Sequence, residues 1–102
     1  MTGIVKTLAT VALLGQSAEA GEPAAVDHPY LGLWVTADGH VRQELRPDGR
    51  YVEARGAREL AYQGRYLVTG DRIDYWDDTG FTADGEFVDG VLHHGGMAMR
   101  RR

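Results

Sequence analysis

No cysteine occurs in this chain. That excludes a disulfide framework, a zinc ribbon, an iron–sulfur site and a thiol nucleophile. Lysine occurs once, as Lys6, and the 11 basic residues are outnumbered by 15 acidic ones. The formal net charge of -4 makes the chain a poor partner for nucleic acid or anionic lipid. No apolar run is long enough to cross a bilayer, so no membrane span is expected. There is no Ser-His-Asp order, no phosphate-cradling glycine loop and no zinc-hydrolase signature. With 102 residues there is room for one domain, and such a chain buries only about two thirds of its unfolded surface.

What the chain has in excess is glycine, with 14 residues, about twice the usual share. Turn signals recur roughly every ten residues: Asp38-Gly39, Asp48-Gly49, Gly70-Asp71, Thr79-Gly80, Asp84-Gly85, Asp89-Gly90 and Gly95-Gly96. Between them lie short runs rich in β-branched and aromatic residues, near 31–36, 40–46, 50–55, 61–68, 72–77, 80–83, 86–89, 91–94 and 97–101. The two shortest, around Asp84-Gly85, are expected to form one irregular hairpin, so the strand number is about eight. Gly56–Leu60 is expected to be the longest irregular connection, with room for a turn of helix. No helical period is sustained after residue 28. The expectation is an all-β fold, a small closed antiparallel up-and-down barrel, because closure removes the two exposed edges of so small a sheet.

The N-terminal stretch is distinct. Lys6 precedes an apolar run, Leu8 to Leu14, and Ala18-Glu19-Ala20 fits a small-x-small cleavage pattern. Residues 1–27 are thus a secretion signal or a retained helical lid, and residues 28–102 are the barrel. Export follows from the first alternative and a cytoplasmic location from the second.

Alternation sorts each strand into two faces, and the mixture of residues suits a cavity lined by aromatics with a few aimed polar groups. Candidate ligand-binding residues are Trp34, Gln43, Tyr51, Tyr62, Tyr75, Trp76 and His93. Adjacent strand residues point to opposite faces, so His93 and His94 cannot both chelate one metal. Acid–base candidates are His93, Asp74 and Glu53. Asp74 shares a face with Trp76, where a carboxylate could orient an amine or hydroxyl. Glu53 has two readings: an outward salt bridge toward Arg42 or Arg65, or a carboxylate aimed inward beside Tyr51 with Arg55 at the mouth. The acidic residues Asp74, Asp77, Asp78, Asp84, Glu86 and Asp89 lack calcium-loop spacing and most are read as solvated turn caps, Asp74 being the exception, so neither metal nor cofactor is expected.

Gly32-Leu33-Trp34 opens the first strand. A Gly-x-Trp opening on an up-and-down barrel resembles the lipocalin and avidin/streptavidin superfamily. That resemblance implies an arginine of the last strand lying over the tryptophan, Arg100 or Arg101 here. A closer resemblance rests on His28-Pro29-Tyr30-Leu31-Gly32-Leu33-Trp34, Tyr62-Gln63-Gly64-Arg65-Tyr66, Asp74-Tyr75-Trp76-Asp77-Asp78-Thr79-Gly80-Phe81 and Leu92-His93-His94-Gly95-Gly96-Met97. Over residues 28–102 these are similar to a family of very short bacterial proteins first described structurally from an agrobacterial member. The resemblance implies a compact streptavidin-like barrel with a small-ligand pocket, and it brings no ligand or catalytic residue with it.

The leading expectation is a module holding a small apolar or aromatic molecule in the barrel interior. The alternatives are a cofactor-free isomerase, cyclase or lyase acting on a hydrophobic natural product, and a structural domain with a filled core. Met97 and Met99, with the doubly apolar first strand, suggest a homodimer surface.

Overall fold

The computed structural model describes residues 26–102. The signal and lid expectations for residues 1–27 fall almost wholly outside the described residues. Eight strands run in chain order: β1 Gly32–Thr36, β2 Val41–Leu45, β3 Arg50–Arg55, β4 Arg58–Thr69, β5 Arg72–Asp77, β6 Thr82–Val88, β7 Val91–His94 and β8 Met97–Arg101. Each pairs antiparallel with the next, and β1 pairs with β8 through Trp34↔Arg101, Val35↔Arg100 and Thr36↔Met99, closing the barrel. The described residues contain no helix.

Turn chemistry sets this meander. Between β6 and β7, Asp89 (φ 51°) and Gly90 (φ 80°) both sit in the left-handed region. Such a two-residue turn matches the twist of its flanking strands and favours Asp-Gly.

Two expectations about connections are corrected. Asp84-Gly85 is not a turn, because β6 runs straight through it with Asp84 opposite Asp74 and Gly85 opposite both Ile73 and His94. Nor is Gly56–Leu60 an irregular connection. Arg55 pairs with Arg58, so β3 and β4 join in a tight hairpin, with a register shift between Glu53 and Arg55.

One face of each strand fills the lumen. Trp34, Val41, Leu45, Tyr51, Tyr66, Ile73, Tyr75, Phe87, Leu92 and Met99 form the core cluster. Met99 is fully buried in the lumen, while Met97 is half-buried and packs against the core. Gly64 is required by close approach: a Cβ there would overlap the Trp76 carbonyl oxygen and crowd the Asp77 Cα.

The two barrel ends differ. At one end residues 26–31 lie across the opening. Val26 donates its N–H to the Pro47 carbonyl at 2.8 Å. The Tyr30 ring stacks on Phe87, and the Tyr30 carbonyl accepts from Trp34 Nε1 at 2.9 Å. His28 Nδ1 accepts from the Tyr30 N–H, and its Nε2 meets the Tyr66 hydroxyl at 2.8 Å. Burial of that ring, with Arg101 nearby, lowers the His28 pKa. Arg101 lies over the Trp34 ring, 5.0 Å from its centroid, and donates to the Leu31 and Pro29 carbonyls. Of the two arginines named from the sequence, Arg101 holds this place. The opposite end has no such cover among the described residues.

Candidate functional site

The open end is built by the last residues of β3, β5 and β7 and the first of β4 and β6. It holds a cavity of about 230 Å³ lined by Tyr51, Glu53, Arg55, Tyr62, Tyr75, Asp77, Phe81, Thr82, Ala83, His94 and Gly95. Tyr51 and Tyr75 form its floor, meeting edge to face with centroids 4.9 Å apart. Such pairs gain energy beyond area burial and hold both rings in place. Tyr62 and Phe81 stand at the lip, 46% and 74% exposed.

A buried polar chain runs beside the floor. The Tyr75 hydroxyl donates to Gln43 Oε1 at 2.7 Å. Gln43 Nε2 donates to Glu53 Oε1 at 2.8 Å, and Arg55 Nε donates to Glu53 Oε2 at 2.7 Å. A carboxylate that is 2% exposed is tolerated only because both oxygens are engaged by donors, one of them cationic. Arg55 also lies 5.2 Å from the centroid of the Tyr62 ring. His94 approaches from β7, its Nε2 4.0 Å from Glu53 Oε1 and its ring 4.7 Å from that of Tyr75. Asp77, at the rim, accepts from the Thr79 N–H and hydroxyl, which holds its carboxyl below the usual range.

Electrostatics keep the floor neutral. Burial pushes the Tyr51 phenol up to about 12, with nearby Asp77 and Glu53 adding to the rise. Burial raises Tyr75 further still. Both therefore present O–H groups at neutral pH. The Tyr75 proton is committed to Gln43. The Tyr51 hydroxyl has no hydrogen-bond partner among the described residues.

Of the residues named from the sequence, Tyr51, Tyr62, Tyr75 and Glu53 come together at the cavity. Glu53 takes the inward of its two readings. Gln43 is fully buried behind them as the bridge between Tyr75 and Glu53. Trp34 is inside but at the covered end, with its N–H spent on Tyr30. Three residues point outward. Trp76 lies beneath the Arg65 guanidinium at 4.2 Å. Asp74 pairs with Arg72 at 3.0 Å. His93 is exposed on the outer wall, opposite Glu86 and Ala98.

Strand alternation explains each correction: Ile73 and Tyr75 take the lumen, leaving Asp74 and Trp76 outside, and Leu92 takes it on β7, which carries His94 inward in place of His93. His94, Arg55, Asp77 and Phe81 therefore join the site. The signal for His94 was its two-residue spacing from Leu92, obscured because Val91 is apolar too.

A broader furrow of about 600 Å³ includes Arg72, Asp84, Glu86, His93 and Ala98 in its lining. It lacks the buried polar chain of the mouth, and Arg72 and Asp84 are already paired at 2.9 Å. Among the described residues no group of three or more His, Asp or Glu side chains is arranged to hold a metal ion. No helix there is long and apolar enough to cross a membrane.

Fold and site together define a class: a closed eight-stranded antiparallel meander barrel, plugged at one end and hollow at the other. Residues 27–101 match the family model described as Agrobacterium tumefaciens protein Atu4866. The chain belongs to the Atu4866 family. It is similar to the solution structure of the protein Atu4866 from Agrobacterium tumefaciens, at 67% identity over 76% of this chain and 99% of that one, with a TM-score of 0.67. No curated protein matches it.

Proposed function

We propose that this barrel binds a small aromatic molecule in the cavity at its open end. The observation that carries this is Tyr51: a residue only 5% exposed that lines the cavity, its hydroxyl without a hydrogen-bond partner among the described residues. A buried hydroxyl left unpaired costs about 1–3 kcal/mol, which a bound acceptor would recover. The aromatic floor, the exposed aromatic lip of Tyr62 and Phe81, and a few aimed polar groups fit the usual make-up of small-molecule sites. The lower half of the lumen is filled by side chains, so the ligand sits at the mouth and not along the whole interior.

The test is a fragment titration followed by amide chemical shifts of labelled protein. Binding should move the Tyr51, Glu53, Ala83 and His94 signals. Tyr51→Phe, which keeps the ring, should fold normally and weaken binding. Shifts confined to the outer faces of Trp76 or His93, with the mouth silent, would sink the assignment.

A further inference from the structure

We propose that the cavity selects ligands that donate a hydrogen bond from an aromatic ring, a ring O–H or ring N–H, into the gap between His94 Nε2 and Glu53 Oε1. This rests on the mouth cavity being a ligand site, as proposed above.

The argument begins with the His94 tautomer. Its Nδ1 lies 3.0 Å from the Asp84 backbone carbonyl oxygen. A carbonyl oxygen only accepts, so the proton of this contact belongs to Nδ1. In the neutral ring Nε2 is then a bare acceptor, its direction set by the Nδ1 contact with the Asp84 carbonyl. Across from it, at 4.0 Å, is Glu53 Oε1. A carboxylate is also acceptor-only, and Oε1, which already accepts from Gln43, has room for a second donor.

Two acceptors therefore face each other with no donor among the described side chains between them. Gln43 and Arg55 approach Glu53 from its other sides, and the Tyr75 proton goes to Gln43. What the gap lacks is a proton on an incoming group.

The surroundings restrict what carries that proton. The floor is two tyrosine rings, with the His94 imidazole tilted at 42° to Tyr75. A cavity of about 230 Å³ corresponds to roughly eight waters at about 30 Å³ each, which suits one substituted ring. An ether or a methyl group in the same position would leave His94 Nε2 unpaired and desolvated, and Glu53 Oε1 with Gln43 as its one donor. That is the situation in which binding sites discriminate most strongly.

The probes are phenol, its methyl ether anisole, and toluene, titrated against labelled full-length protein. Phenol should bind about tenfold more tightly than anisole, the loss expected for a hydrogen bond to a charged acceptor. In His94→Phe, which keeps a ring in place, the preference for phenol should shrink while anisole still binds. Equal affinity for all three would overturn the donor requirement and leave the cavity standing as a ligand site. No shift at mouth residues with any probe would overturn both. A second measurement is the ring-nitrogen spectrum of His94 in the free protein at neutral pH. A proton on Nδ1 is expected; a bare Nδ1 with the proton on Nε2 would overturn the tautomer and with it the proposal.

Discussion

The Tyr75 hydroxyl donates to Gln43 Oε1 at 2.7 Å, and both side chains are almost fully buried. Gln43 thereby makes both of its bonds inside the barrel, one to a phenol and one to a carboxylate. Gln43→Leu would strip Glu53 Oε1 of its donor and leave the Tyr75 O–H unpaired. The expected loss is about 3 kcal/mol, because unpaired buried groups cost more than a hydrogen bond gains. Urea unfolding checks this. A loss below about 1 kcal/mol would mean that water replaces the amide, and the polar chain would not be a structural unit.

The covered end should be the more sensitive to aromatic truncation. Tyr30 and Phe87 stack with centroids 3.7 Å apart and planes 4° apart, and Phe87 also packs against Trp34. Phe87→Ala should cost about 4 kcal/mol. That is a large share of the roughly 5–15 kcal/mol typical of a domain. Thermal unfolding followed by Trp fluorescence would show it, with Phe87→Leu clearly milder. If the two variants melt alike, the stack carries little of the stability.

Gly64 offers a test of close approach without backbone strain, since its φ is not among the positive ones. Gly64→Ala places a methyl group on the Trp76 carbonyl, so β4 and β5 must separate locally. A destabilisation of about 1–3 kcal/mol is expected from such overpacking, with faster amide exchange around Trp76 and Asp77. Unchanged exchange there would refute the stated contact.

Alkaline pH should unfold this barrel through its tyrosines. Burial holds Tyr51 and Tyr66 at about 12, above the ordinary value of 10. A group raised in the folded state stabilises fully below its unfolded pKa and loses that contribution as pH climbs through the folded one. Stability should therefore be flat up to about pH 10 and fall between 10 and 12. Phenolate absorbance and circular dichroism should change together for the buried rings. If all five tyrosines ionise near pH 10 while the dichroism stays native, their burial is not what the structure shows.

Strand number, meander order and barrel closure were legible because turn residues and two-residue alternation are local signals. Registration was less so. Asp84-Gly85 carries the commonest hairpin signature, yet here the glycine serves a strand: a Cβ would lie 2.8 Å from the His93 carbonyl oxygen. Nothing local separates a glycine that turns from one that admits a neighbour. The site was half legible for the same reason. Alternation paired Asp74 with Trp76 and Leu92 with His94, but the inner face is chosen by the whole barrel. Trp76 and His93 were drawn inward by their chemistry, and Tyr75 and Leu92 took the lumen. Glu53 was undecidable in isolation, since its partners Gln43 and His94 lie 10 and 41 positions away along the chain.

The described chain enters and leaves the barrel at one pole. Val26 reaches Pro47 there, and Arg101 closes over Trp34 beside it. Among the described residues the hollow pole carries only hairpin turns. A barrel tethered through Arg102, to a surface, a bead or a fused domain, would thus hold its hollow pole toward solution.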